Sequence, residues 1–294
     1  MDFHHCTLCP RMCGADRYSV TGFCGCGTEI RAAKAWLHMW EEPCISGTNG
    51  SGTVFFSGCC LKCCFCQNYH ISSENFGREI SVKRLSEIFL ELQEKGAHNI
   101  NLVSPTPYVP QIIEALELCR EKLEIPIVYN TGGYERVETL KMLEGYVDVY
   151  LPDLKYYDNT LGLKYSSTPN YFETASAAIL EMFRQVGSCK IENHLIKKGV
   201  IIRHLVLPSH RKDSMKILEW IAEIFPGEKV LISLMSQYTP VYKSCEHKEI
   251  FRKISTFEYN SVVDKAAELG LDGFMQERSS AVSDYTPDFD LSGL

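Results

Sequence analysis

The run Gly58-Cys59-Cys60-Leu61-Lys62-Cys63-Cys64-Phe65-Cys66-Gln67-Asn68 carries a C-x3-C-x2-C spacing at Cys59, Cys63 and Cys66. Three thiolates so spaced suit three irons of a [4Fe–4S] cubane and leave the fourth iron without a protein ligand. An open iron serves a cluster that activates a substrate, whereas an electron-transfer cluster closes all four positions. Cys60 and Cys64 offer other registers, but 60/64 followed by 66 does not give x3 then x2, so 59/63/66 is preferred. The competing readings are buried thiols or a zinc site, which takes four ligands, commonly from paired C-x2-C units.

A second set of thiols lies at the N-terminus. Cys6-x2-Cys9-x3-Cys13 and Cys24 supply four soft ligands, Cys26 a fifth, and His4 and His5 stand nearby. The segment has too little apolar periodicity to build a core, and a metal is the usual substitute. Zinc as a structural clasp and a second Fe–S cluster both fit; the x3 spacing leans toward a cluster. The alternative is a set of buried or redox-labile thiols.

The elements that must position these groups follow from the rest of the chain. Of its 294 residues 45% are hydrophobic, enough for one large α/β domain. The formal net charge is −7 and no run of five Lys/Arg occurs, which disfavours duplex DNA as a partner. The polar, Cys-rich start lacks the apolar stretch of a secretory signal. No apolar run approaches the ~20 residues that span a bilayer. A cytoplasmic location is therefore expected, without membrane insertion. Disulfides do not persist there, so the fourteen cysteines read as ligands, catalytic groups or buried thiols.

Three regions are expected: a Cys-rich metal-binding segment over 1–30, a linker or lid over 31–52, and a barrel over 53–294. Strands are predicted at 53–57, 99–103, 125–129, 147–151, 200–206, 229–234 and 273–275. Apolar spacing places helices between them, among them one capped by Ser81 and a long one from Tyr171 to Val186. Repeated β-then-α order demands a parallel sheet with right-handed crossovers. Six or seven units point to a complete or partial barrel. The cysteine run begins where the first strand ends, at the C-terminal mouth where such barrels gather catalytic groups.

At this point the residues resemble a family. The run is similar to the radical SAM motif C-x3-C-x-aromatic-C, with Phe65 as the aromatic residue. The resemblance implies a partial (β/α)6 TIM-like barrel. It also implies S-adenosylmethionine (SAM) on the open iron, cleaved after reduction to methionine and a hydrogen-abstracting 5′-deoxyadenosyl radical. The wider sequence resembles relatives of pyruvate formate-lyase activating enzyme, in particular a branch of unassigned substrate. It does so through Cys6-Thr7-Leu8-Cys9-Pro10-Arg11, Trp40-Glu41-Glu42-Pro43-Cys44-Ile45-Ser46-Gly47 and Phe55-Phe56-Ser57-Gly58-Cys59, and extends from Cys6 to about Arg278.

The resemblance also suggests what holds SAM. The second strand ends in Ser104-Pro105-Thr106-Pro107 where relatives carry a Gly-Gly-Glu turn. Amine binding then falls to backbone carbonyls and the hydroxyls of Ser104 and Thr106, or the turn is merely a rigid loop. Asn130-Thr131-Gly132-Gly133 and Asp153-Leu154-Lys155 match the Asp-Thr-x-Gly and Asp-Leu-Lys turns of activases, which help form a monovalent-cation and SAM site. Asn130, Thr131 and Asp153 would face the cation or SAM, and Lys155 its carboxylate or ribose, the alternative being a structural Asp–Lys pair. Strand alternation sends Arg203 and His204 to opposite faces. Arg203 would fork onto the SAM carboxylate and His204 pack beneath a helix. Gln237, Tyr238, Gln276, Glu277 and Arg278 lie at the last strand ends, on the expected side of substrate approach.

The leading expectation is a radical SAM enzyme of oxidoreductase or lyase type acting on a protein glycyl site or a small molecule. It would be reduced by a flavodoxin or ferredoxin. A glycyl-radical activase is an alternative, weakened because Asn49-Gly50-Ser51-Gly52-Thr53 stands where activases carry Asp-Gly-Pro-Gly. An Fe–S or zinc module without SAM chemistry is the contrasting class.

Overall fold

The computed structural model describes residues 3–227, 230–276 and 287–294. Lys229, expected to open a strand, and Glu277 and Arg278, expected near the substrate, lie outside the described residues. In chain order the elements are β1 (Ile30–His38), α1 (Pro43–Ser46), β2 (Ser51–Phe56), α2 (Tyr69–Ser72), β3 (Arg78–Ile80), α3 (Val82–Glu94), β4 (Ile100–Val103), α4 (Val109–Cys119), β5 (Ile127–Thr131), α5 (Val137–Met142), β6 (Val149–Pro152), α6 (Asn159–Ser166), α7 (Tyr171–Val186), β7 (Lys190–Glu192), β8 (Leu195–Leu205), α8 (Arg211–Ile224), β9 (Leu231–Met235), α9 (Thr256–Glu268) and β10 (Gly273–Met275).

Seven strands run parallel in the order β2-β4-β5-β6-β8-β9-β10, as β-then-α alternation requires. β1 adds antiparallel to β2, and β3 antiparallel to β1. Among the described residues no pairing joins β3 to β10, so the sheet is an open, partial barrel. The Cys-rich N-terminal extension lies against it.

The segment expected as a linker over 31–52 instead holds β1 and α1. β1 was hidden because Ala32, Ala33 and Ala35 are poor strand formers and Lys34 breaks the apolar run. Lys34 is buried nonetheless, its Nζ donating to the Asp288 carbonyl at 2.9 Å and pairing with Asp290 at 3.1 Å. β5 and β6 start two residues later than expected; for β5 the cause is Pro126, which has no N–H to give a ladder. The β7–β8 hairpin turns on Asn193 and His194, both at positive φ, the type I′ geometry that suits a two-residue connection.

Alternation along the parallel strands sorts side chains into two compartments. Val128, Val149, Leu151, Ile201 and Leu231 point to the concave side, where they close on Cys44 and Ile45 of α1. Tyr129, Tyr150 and Ile202, one residue on, face the helical layer. α1 thereby plugs the lower end of the barrel. The chain just before it, with Trp40 and Glu41, is carried up toward the mouth.

The turns after β5 and β6 are held together. The Tyr171 hydroxyl, fully buried on α7, accepts from Lys155 N–H at 3.0 Å and lies 2.9 Å from both the Gly132 and Asp153 carbonyls. Gly133 sits at φ +80°, and a Cβ there would press on the Asp153 carbonyl oxygen. One turn further, Glu135 is buried. Its Oε1 accepts from the hydroxyls of Thr106, at 2.5 Å, and Thr131, while its Oε2 has no hydrogen-bond partner among the described residues. Burial pushes the Glu135 carboxyl up to about 7, against the pull of the two threonine hydroxyls.

Two outcomes follow for this turn. Gly133→Ala combines left-handed strain with a backbone clash and should cost at least about 2 kcal/mol in urea unfolding. For Glu135 the folded pKa lies above the unfolded one, so the proton stabilises the fold at low pH. That stability is lost as pH rises from the ordinary Glu range through about 7. The loss amounts to roughly 3 kcal/mol, and Glu135→Gln should flatten that part of the stability profile. A wild-type profile equally steep in the Gln variant would show that Glu135 is not its source.

Candidate active site

The turn after β2 brings Cys59, Cys63 and Cys66 to one wall of a cavity of ≈ 240 Å³ at the C-terminal ends of the parallel strands. Each sulfur has a hydrogen-bonding neighbour. Leu61 N–H donates to Cys59 Sγ at 3.4 Å, Ser166 Oγ–H donates to Cys63 Sγ at 2.9 Å, and Ser72 Oγ lies 3.2 Å from Cys66 Sγ. Donors of this kind suit thiolate ligands, and three such sulfurs fit a cubane with one open iron. Burial drives the Cys63 thiol up to about 12, with Lys155 opposing, so iron binding there releases a proton.

Cys60 and Cys64 do not line this cavity. Cys60 turns its thiol to the Tyr134 carbonyl at 3.6 Å and Cys64 is buried beside α6. Gly58, at φ +85°, allows the loop to lie against Cys26 Sγ, where a Cβ would collide. Phe65 is buried in the cavity wall and meets Tyr238 edge-on, 5.6 Å between ring centres.

Strand ends form the opposite wall. Arg203, inward on β8, donates from Nε to Asp153 Oδ1 at 2.9 Å, from Nη2 to Asn130 Oδ1 at 2.6 Å and from Nη1 to Glu41 Oε2 at 3.3 Å. Lys155 Nζ donates to the other Asp153 oxygen at 2.5 Å. Glu41 Oε1 accepts from Asn101 at 3.0 Å and Asn130 at 3.2 Å. Two largely covered cations thus face two largely covered anions, each side chain 10% to 15% exposed. Burial alone would raise Asp153, but Arg203 and Lys155 outweigh it and hold the carboxylate below its usual range. Burial likewise opposes charge on Lys155, and Asp153 with the Cys63 sulfur restores it. Glu41 is shifted up by its burial, which Arg203 and the Asn101 hydrogen bond only partly oppose.

Ser104, Asn130, Thr131, Asp153, Lys155 and Arg203 all line the cavity, as do Gln237 and Tyr238. Thr106 does not: it is buried one residue too far round the turn, and its hydroxyl is engaged by Glu135. The Thr131 hydroxyl is also taken by Glu135, because Thr131 shares the outward parity of Tyr129. Gln276 hydrogen-bonds Gln237 at 3.1 Å and lines a second cavity of ≈ 500 Å³, which shares Trp40, Glu41 and Arg203 with the first. His204 packs behind the sheet between the Leu154 carbonyl and Ser214. Glu41 and Glu135 were missed by the sequence reading. The acidic pair in Trp40-Glu41-Glu42 was the available signal for the first, and nothing in the local pattern marked the second.

Comparison with known proteins agrees with this geometry. The model of the radical SAM superfamily matches residues 53–240. An uncharacterized protein of Methanocaldococcus jannaschii is 32% identical over 282 residues, covering 92% of this chain and 76% of that protein. Among solved structures, SuiB of Streptococcus suis bound to S-adenosylmethionine aligns over 74% of this chain and 48% of its own, with TM-score 0.53 and 15% identity. This chain therefore spans about half the length of SuiB. A radical SAM methyltransferase of Sphaerobacter thermophilus aligns over 77% and 66%, with TM-score 0.53 and 16% identity. Methylornithine synthase PylB aligns over 79% and 74%, with TM-score 0.50 and 14% identity. At such identities these structures show a shared fold. With the superfamily model spanning more than half of the sequence, the chain belongs to the radical SAM superfamily.

Proposed function

We propose that this chain cleaves SAM reductively on a [4Fe–4S] cluster held by Cys59, Cys63 and Cys66, and so removes a hydrogen atom from a substrate. The observation that carries the reading is the meeting, in one cavity, of three donor-supported sulfurs and a buried, charged strand-end wall. When bound, cluster and SAM supply one electron and, on release of methionine, a 5′-deoxyadenosyl radical.

The chain's own groups then have separable duties. Lys155 is the cation whose charge reaches all three ligand sulfurs, and Asp153 uses only one of its three N–H donors. It is therefore the group for the SAM carboxylate beside the open iron. Arg203 is committed to Asp153, Asn130 and Glu41, and acts chiefly by holding that wall in place. Both Asp153 oxygens already face cationic side chains, so a monovalent cation bound there would share them with Lys155 and Arg203. Ser104, held at φ +57° by its N–H on the Asn130 carbonyl, offers a hydroxyl at the mouth for the amine or ribose. Phe65 and Tyr238 shield the cluster side from water.

Anaerobic reconstitution and reduction with dithionite should yield 5′-deoxyadenosine and methionine, and Ala at Cys59, Cys63 or Cys66 should abolish them. Fully loaded wild type that makes neither product would leave only a metal-binding or electron-transfer role. Lys155→Ala should weaken SAM binding about ten- to hundredfold in a direct titration, the worth of one charge-assisted contact. Asp153 keeps Arg203 in that variant, so its melting temperature should change little. Lost stability with normal SAM affinity would make Lys155 a structural residue.

A further inference from the structure

The N-terminal segment is seated on the barrel by side-chain bonds. Arg136 donates to the Thr7 carbonyl at 2.8 Å, Thr139 to the Leu8 carbonyl at 2.7 Å, and Arg11 to the Cys60 carbonyl at 2.9 Å. Beneath it lies a small cavity, separate from that of the strand ends, with Cys6, Cys9, Cys13, Cys24 and Cys60 in its wall. Cys6, Cys24 and Cys60 are buried, Cys9 is half-buried and Cys13 is exposed. Among the described residues no carboxylate or imidazole shares the wall.

We infer that this cavity is a second iron–sulfur site, ligated by Cys6, Cys9, Cys13 and Cys24. This rests on the reading of Cys59, Cys63 and Cys66 as the first.

Three observations support it. Two of the sulfurs stand close together: both Cys13 Sγ and Cys24 Sγ lie 3.5 Å from where a Cβ on Gly22 would be. Positive charge waits beside the thiols. Arg17 is buried with Nη1 3.9 Å from Cys6 Sγ, fixed by the Pro107 carbonyl at 2.7 Å and by the Gly27 carbonyl. A buried guanidinium held by carbonyls and a thiol, and lying over the Phe3 ring at 4.8 Å, is costly without a counter-charge, which an anionic thiolate centre would supply. Finally, Cys60 shares the wall of this small cavity with Cys9 and follows Cys59 directly in the chain. The site is thus set one peptide unit, about 3.8 Å between Cα atoms, from a ligand of the first cluster. Cys26 does not line this cavity; its thiol faces the Ser57 carbonyl at 3.6 Å and the Cys24 carbonyl at 3.8 Å. A structural zinc ion also takes four thiolates, but it has no use for a fifth that leads to a redox centre.

The role that follows is electron entry. One electron comes from a low-potential donor protein of the flavodoxin or ferredoxin class. It reduces the second cluster by one unit and passes past Cys60 and Cys59 to the first, reoxidising the second. No bond forms or breaks and no proton moves.

The test is a Cys59→Ala/Cys63→Ala/Cys66→Ala variant purified without oxygen, with iron, sulfide and zinc determined. About four irons with equal sulfide should remain, and the variant should cleave no SAM. Retained cleavage would overturn the first-cluster reading alone. A folded variant with neither iron nor sulfide, or with one zinc, would overturn the second site. Cys6→Ala/Cys24→Ala in the otherwise natural chain gives an independent reading should the triple variant fail to fold. It should lose about half of the wild-type iron and sulfide. Unchanged iron there would also sink the proposal.

Discussion

The buried guanidinium of Arg203 is the interaction on which the mouth of this barrel depends. It reaches from β8 to Asp153 at the end of β6, to Asn130 on β5 and to Glu41 ahead of α1. Three strands that the ladder ties along their edges are thereby tied again across the concave side. The arrangement is asymmetric in energy. A buried pair gains little over apolar packing, but a partner left alone in the interior is expensive. Removing Glu41, Asp153 or Arg203 therefore disturbs the others, and with them the position of Lys155.

What the sequence made legible follows from which signals are local. The cysteine spacing is local, and the three cysteines it singles out do share one cavity wall; the apolar periodicity of α3, α7 and α8 is local too, and these helices form where it places them, with Arg203 and His204 on opposite faces. β1 was not legible, because its alanines favour helix and its buried lysine is satisfied by Asp288 and Asp290, more than 250 positions on. Losing β1 meant losing Glu41, whose place depends on α1 plugging the barrel floor. Thr106 was misplaced for a related reason. A hydroxyl at a strand end suggests a ligand contact, yet its partner is a carboxylate from the neighbouring turn, where no spacing rule connects them.

Superfamily membership brings SAM and an open cluster, and those explain the cysteine-bearing wall. The opposing wall is built of paired charges. Its charges cancel within the protein, so a zwitterionic ligand meets a surface already neutral overall. Such a wall can orient a carboxylate and an amine by local fields without attracting ions of either sign from solution.

The strands at the two ends of the open sheet, β3 and β10, are three residues each. β3 shows Arg78 and Glu79 to solvent. An unclosed barrel carries two free edges, each a template on which another chain can lay a strand. Edges this brief, one of them charged, give such pairing too few ladder bonds to hold. The open sheet thus comes without the aggregation hazard that free edges usually bring.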